Sequence, residues 1–187
     1  MRYLTFIIIA LCLVSPVSAA ETGKFMLSSP DIKDGTLMQN EQVFNGFGCS
    51  GLNKSPALAW KNPPAGTKSF ALTVYDPDAP TGSGWWHWVV YNIPATVMSL
   101  PKGAGTPDGK LLPPGSLQVN TDFGGPGYGG PCPPAGDKAH RYIFTIHALK
   151  VEKIDLPPNA TAAMAGFFFK QNAIGKASFT GYYGRKK

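Results

Sequence analysis

The chain has 187 residues, enough for one domain, and its 22 glycines and 18 prolines exclude a fold built on long helices. Hydrophobic residues make up 43% and aromatic residues 12%, so a core is available and disorder along the whole chain is excluded. The formal net charge is +6, but it comes from scattered lysines and a basic tail, Arg185-Lys186-Lys187, read as frayed; no basic stripe of the kind nucleic acid needs is present.

Residues 1–20 read as an export signal. Arg2 opens the segment, an apolar run spans Leu4 to Val14, and Pro16 breaks it before small residues at Val17-Ser18-Ala19-Ala20. The run is short of the roughly 20 residues that span a bilayer. Cleavage leaves one domain, 21–187, and takes the net charge from +6 to +5 by removing Arg2. It also removes Cys12 and leaves Cys49 and Cys132. Two cysteines in an oxidising compartment predict one disulfide, and a periplasmic or secreted location follows.

Along the mature chain, Phe25-Met26-Leu27-Ser28 predicts a first strand, and Val43-Phe44 the start of another before Gly46, Gly48 and Gly51. Leu58-Ala59-Trp60 is a short strand. Ser69 to Tyr75 is a strong one, apolar with Thr and Val, and it should end near Asp76 because Pro77 cannot continue a central ladder. Trp86 to Ile93 forms another. Segments 101–114 and 120–138 are loops by their Pro, Gly and Asp content, with Leu117 to Val119 pairing weakly between them. Arg141 to Leu149 is a clear strand. Asn159 is placed to cap a helix over Thr161 to Lys170, and Lys176 to Tyr183 forms the last strand. Strands without helices between them predict a mainly β fold, an antiparallel β-sandwich with few helices.

Alternation along these strands selects the candidate site. His87 is expected to face away from Trp86 and Trp88; His140 and Tyr142 share a face, with Arg141 on the other. Asp76 and Asp78 lie where a strand turns sharply. An Asp, two His and a Tyr, each at a strand end beside Gly/Pro loops, occupy positions that ligand sites favour. Each also has a plain structural reading: turn aspartates, a core histidine, a core tyrosine. His147, in Ile146-His147-Ala148, reads as structural.

Three stretches together resemble the phosphatidylethanolamine-binding proteins, also called Raf-kinase-inhibitor-like proteins. They are Asp76-Pro77-Asp78-Ala79-Pro80, Trp85-Trp86-His87-Trp88, and Cys132-Pro133-Pro134-Ala135-Gly136 through His140-Arg141-Tyr142. The signal segment and Phe47-Gly48-Cys49 are similar to the exported bacterial branch. The resemblance implies a large antiparallel sheet packed on a smaller one, with short helices. It also implies a small pocket for phosphate-like or acetate-like anions, with Asp76, His87, His140 and Tyr142 at the matching positions. Pro80 and the backbone near Cys132 and Pro133 would line it. Ala79-Pro80 is a candidate cis bond. Eukaryotic members close the pocket with a C-terminal helix; this chain ends in Tyr182-Tyr183-Gly184-Arg185-Lys186-Lys187, which argues against lipid head-group binding and kinase regulation here.

The chemistry of such a pocket is expected to run through its histidines. Two imidazoles can donate to an anion, and do so more strongly when protonated, so affinity should rise as pH falls through roughly 6–7. Tyr142 adds a hydroxyl. Asp76 would hold one histidine in its charged form and tautomer, or bind a protonated ligand oxygen. The expected role is binding, not catalysis, with no cofactor and no metal. Three rivals stand beside it. Asp76, His87 and His140 are the right parts for an iron or zinc enzyme but lack close ligand spacing. Nucleophilic catalysis lacks a G-x-S-x-G elbow and a free cysteine. A secreted interaction protein, such as a protease inhibitor, would use Thr81-Gly82-Ser83-Gly84 and 120–138 around the pocket. Exposed sheet edges leave room for a homodimer.

Overall fold

A computed structural model describes residues 23–187; the segment read as an export signal lies outside the described residues. In chain order the elements are β1 (Met26–Ser28), β2 (Asn45–Gly46), β3 (Cys49–Ser50), β4 (Leu58–Lys61), β5 (Ser69–Asp76), β6 (Trp85–Pro94), β7 (Ser99–Leu100), β8 (Leu117–Gln118), β9 (His140–Leu149), α1 (Ala162–Asn172) and β10 (Ala173–Tyr183). A five-stranded antiparallel sheet runs β10-β9-β5-β6-β8. A three-stranded sheet runs β1-β4-β7, and β2 and β3 make a separate hairpin.

β5 lies at the centre of the large sheet, and its sequence explains why. Ser-Phe-Ala-Leu-Thr-Val is buried at every position from Ser69 to Val74, so both faces of the strand are covered. Phe70, Leu72 and Val74 pack against the small sheet through Leu27, Leu58, Trp60 and Leu100. Ala71 points to the other side, where Val89 and Leu149 meet Ala162, Ala165 and Phe169 of α1. Each large side chain fully buried in this way contributes roughly 1.5–3 kcal/mol of transfer free energy. The Trp60 and Phe70 rings meet edge to face at 5.4 Å.

Several local details depart from the sequence expectation. Thr161, not Asn159, caps α1: its Oγ1 accepts from the Met164 N–H at 3.1 Å, while Pro157 and Ala160 close a turn just before it. Val43 and Phe44 lie outside any strand, and the Phe44 N–H donates to Pro131 O. The pairing begins one residue later. Phe47 (φ 53°) and Gly48 (φ 79°) form the two-residue turn between β2 and β3, where both central positions need positive φ. The short strand β7, which pairs with β4, has no counterpart in the sequence reading. No peptide bond among the described residues is cis, so Ala79–Pro80 is trans. The turn is tightened instead by Asp76, whose Oδ1 accepts from the N–H of Asp78 at 2.8 Å and of Ala79 at 3.1 Å.

Antiparallel pairing positions the site. It brings the C-terminal end of β5 beside the N-terminal ends of β6 and β9. Asp76, His87, His140 and Tyr142 therefore gather at one end of the large sheet although up to 66 residues separate them in sequence.

Candidate functional site

At that end lies a small cavity of about 160 Å³. All seven residues that the sequence singled out for a ligand line it: Asp76, Pro80, His87, Cys132, Pro133, His140 and Tyr142. The volume is below the roughly 300–1,000 Å³ of sites for drug-sized ligands, so it suits a group of a few heavy atoms.

Asp76 is 2% exposed and fully engaged. One carboxylate oxygen holds the turn, and the other, Oδ2, accepts from Nδ1 of His140 at 2.8 Å. That contact puts a hydrogen of His140 on Nδ1 and leaves Nε2 for other partners. On its outer side Nε2 lies 3.6 Å from Oδ2 of the half-exposed Asp137. Arg141 points the other way, as alternation predicts. Its Nε and Nη2 donate to the two oxygens of Asp78 at 2.8 and 2.6 Å, and its backbone N–H adds a third bond. The Arg141 guanidinium holds the Asp78 carboxyl down to about 2. This fork fastens the Asp76–Pro80 turn to β9.

His87 departs from the alternation expected of it. Val74 pairs with Trp88 and Tyr75 with Trp86, so His87 is an extra residue, a β-bulge. Trp86 packs towards α1, while Trp88 belongs to the core beneath the cavity. His87 turns to that same side and meets Tyr142 edge to face at 5.0 Å. Its Nδ1–H donates to Gly129 O at 2.6 Å, and its own carbonyl accepts from Gly129 N–H at 2.8 Å. Burial pushes the imidazole down to about 4, against the pull of the Gly129 carbonyl and the more distant Asp76 and Asp122. At neutral pH the ring is therefore neutral, with Nδ1–H spent on Gly129 and a lone pair on Nε2. The expectation that both histidines donate is revised: His87 offers an acceptor.

Tyr142 is 1% exposed, and its hydroxyl has no hydrogen-bond partner among the described residues. Burial pushes that hydroxyl's pKa up, and the Asp76 carboxylate adds to it through its charge and a contact weaker than a regular hydrogen bond, so the hydroxyl stays protonated and can donate.

The loops supply the rest of the wall. Cys49 and Cys132 form the expected disulfide, with Cα atoms 6.0 Å apart, and it ties the β2–β3 hairpin to the segment at the cavity. Gly130 allows the loop to lie against the chain at Gln42–Phe44: a Cβ there would stand 1.9 Å from Gln42 O. The tail is not frayed at Arg185. Its Nε donates to Pro133 O at 2.6 Å and its Nη1 to Gly48 O at 3.1 Å, and Gly136 N–H donates to its carbonyl. Phe47, Trp85 and Phe123 form an aromatic rim that the sequence reading missed. Phe47 and Phe123 stack at 6.0 Å, Trp85 meets Phe123 at 5.5 Å, and Phe47 is 68% exposed. For Phe47 and Phe123 an aromatic in a Gly/Pro loop was the available signal, but loops carry no periodicity to aim it.

The donor set also bears on metal binding. Asp76 accepts three hydrogen bonds within the fold and Nδ1 of His87 and of His140 is engaged in one each, and no group of three or more potential ligand side chains converges on a metal position among the described residues.

The sequence profile of the family described as phosphatidylethanolamine-binding protein matches residues 28–184. The chain belongs to the phosphatidylethanolamine-binding protein family. It is 53% identical over 165 residues to the UPF0098 protein YbcL of Escherichia coli, covering 88% of this chain and 90% of that one. To YbhB of the same organism it is 52% identical, covering 84% and 98%. The crystal structure of YbcL superposes with a TM-score of 0.85 over 87% of this chain and 99% of that one. A Mycobacterium tuberculosis relative named as a putative lipoprotein, LppC, is 38% identical over 90% of this chain and 76% of its own length. Family membership fits the fold described above: a large antiparallel sheet, a smaller one packed on it, and one short helix.

Proposed function

We propose that this member of the family is an exported binding protein whose cavity holds a small phosphate-like anion without chemically transforming it. The observation that carries this reading is the Tyr142 hydroxyl, buried at the cavity without a partner. A native core rarely leaves such a group unsatisfied, because the desolvation costs roughly 1–3 kcal/mol. A bound oxyanion would satisfy it, and the imidazolium form of His140 would add a charge-assisted bond from Nε2.

Binding is favoured over catalysis because, among the described residues, no activated nucleophile lines the cavity. Cys132 is in a disulfide, and the Thr81 hydroxyl donates to Gly84 O. Export is favoured by that disulfide, by the N-terminal apolar segment, and by the lipoprotein name of one relative. Periplasm or extracellular space would then be the site of action. Among the described residues no helix is long and apolar enough to cross a membrane.

A second reading rests on Phe47, which lines the cavity and is 68% accessible. It suits a protein partner that covers the mouth.

Calorimetric or NMR titration of the disulfide-intact protein with inorganic phosphate tests the first reading, with His140→Ala alongside. Saturable binding by the wild type, lost in the variant, is the expected result. No binding by the folded wild type overturns the anion reading and leaves the partner surface.

A further inference from the structure

The histidine nearest the floor of the cavity is wired as an acceptor, and this has consequences for which anion fits. Nδ1–H of His87 is committed to Gly129 O at 2.6 Å, and the ring is 3% exposed. A carbonyl cannot donate, so this bond fixes the hydrogen on Nδ1. Nε2 makes no hydrogen bond among the described residues, and His87 is one of the residues that line the cavity. The groups around the ring, besides Gly129, are the Gly130 backbone carbonyl, Asp76 and Asp122 at longer range, the edge-on ring of Tyr142 at 5.0 Å and that of Phe123 at 5.3 Å. None of these donates to Nε2. The opposite wall is of the other kind: His140 can supply Nε2–H in its imidazolium form, and the Tyr142 O–H, enclosed in the ligand-free fold, has no close hydrogen-bond partner among the described residues.

Resting on the anion-pocket reading above, we propose that the cavity selects an oxyanion that carries its own proton: inorganic phosphate or a phosphomonoester, over sulfate and over phosphodiesters. The anionic oxygens accept from Tyr142 and His140, and the ligand's P–O–H donates to Nε2 of His87. Sulfate at neutral pH has no hydrogen to give, and neither does the diester of an intact phospholipid head group. Each would face a lone pair with a lone pair. A sulfate could enter only if His87 first took up a proton; with the ring held near 4, that costs about 100-fold in affinity at pH 6.

The chemistry of a monoester can come from a free metabolite or from a cleaved lipid head group, and four probes separate the cases. Inorganic phosphate, sulfate, O-phosphoethanolamine and glycerophosphoethanolamine are titrated into the disulfide-intact protein at pH 6. Phosphate and O-phosphoethanolamine should bind at least roughly 30-fold more tightly than sulfate and glycerophosphoethanolamine, a factor set by the proton-uptake penalty. His87→Gln, whose amide can turn to donate, should still bind phosphate and bring sulfate to within about threefold of it. Sulfate binding within threefold of phosphate in the wild type overturns this inference while leaving the anion pocket standing. Failure of all four probes overturns both. Should His87→Gln not fold, ¹⁵N NMR of the wild-type ring decides: Nδ1 protonated with Nε2 bare and shifting on phosphate addition is expected, and a ring protonated at Nε2 overturns the inference.

Discussion

Nδ1 of His140 sits 2.8 Å from Oδ2 of Asp76, and both side chains are buried. The second oxygen of that carboxylate is held by two backbone N–H groups of the turn that follows it, so the aspartate cannot swing away from the ring. Asp76 is thus a positioning group. It spends its charge on orienting an imidazole whose far nitrogen is the one that meets the outside, which accounts for a carboxylate in the wall of the proposed anion site. The far nitrogen has a second carboxylate beside it, the half-exposed Asp137, 3.6 Å away.

That second carboxylate competes for the place of a bound anion. Asp137→Asn should tighten phosphate binding by about threefold to tenfold at low salt, since one unit charge at about 4 Å in a water-like dielectric is worth about 1 kcal/mol. The gain should shrink as salt is raised, because an exposed charge is screened over about 10 Å at 0.1 M. Phosphate titrations of both proteins at two ionic strengths check this. Equal affinities at low salt would remove Asp137 from the neighbourhood of the ligand.

Tyr142→Phe should move stability and affinity in opposite directions. Removing the unpartnered hydroxyl relieves a desolvation cost of roughly 1–3 kcal/mol, so the ligand-free variant should be as stable as the wild type or more so. Phosphate should bind about tenfold more weakly, the loss of one hydrogen bond to a charged partner. Thermal unfolding without ligand and a phosphate titration read the two effects separately. A variant that loses stability would mean that the hydroxyl has a partner within the fold.

Acid should destabilise the ligand-free protein before its carboxylates are titrated. His87 has its pKa depressed from 6.5 to about 4 in the fold, so the unfolded chain binds the proton first as pH falls. Stability is complete above about 6.5 and declines as pH drops towards 4, by about 3 kcal/mol over the window. His147, also pushed down to about 4 by burial, acts with the same sign. Asp78 acts lower still: held near 2 by Arg141, its contribution is present above 3.8 and lost towards 2. Chemical unfolding at pH 7, 5.5 and 4.5 measures the slope. His147→Gln should flatten it in part, and a flat profile above pH 5 would mean that His87 is not held neutral.

Much of this arrangement was legible in the chain because strand ends are marked by composition. Pro77 stops β5 at Asp76, and the alternation of His140, Arg141 and Tyr142 separates the pocket face from the side that clamps Asp78. The direction of His87 was not legible. Alternation within one strand places it opposite Trp88, but the bulge arises from how β6 is paired with β5, which no single strand records. The same holds for its chemistry: neutrality and tautomer come from Gly129, 42 residues away in a loop without periodicity. Arg185 looked like a loose basic end because its partners are backbone carbonyls of Gly48 and Pro133, and carbonyls leave no mark in a sequence.

The disulfide connects these loops, so its loss should be felt in the site as well as in stability. Cys49 and Cys132 are 83 residues apart, and loop-entropy arithmetic credits a closure of that length with about 4.5 kcal/mol as an upper figure. The Arg185 fork and the Phe44–Pro131 bond hold the same walls from other directions and do not depend on the sulfurs. Reduction should therefore leave a folded protein of lower melting temperature, with the cavity wall at Cys132–Pro134 free to shift. Cys49→Ala combined with Cys132→Ala should show the same drop, insensitive to reductant, together with weaker phosphate binding. If the melting temperature falls while phosphate affinity holds, the cross-link serves stability alone and the wall is kept in place by Arg185. Adding Arg185→Ala to the cysteine-free protein should then release the wall and weaken phosphate binding.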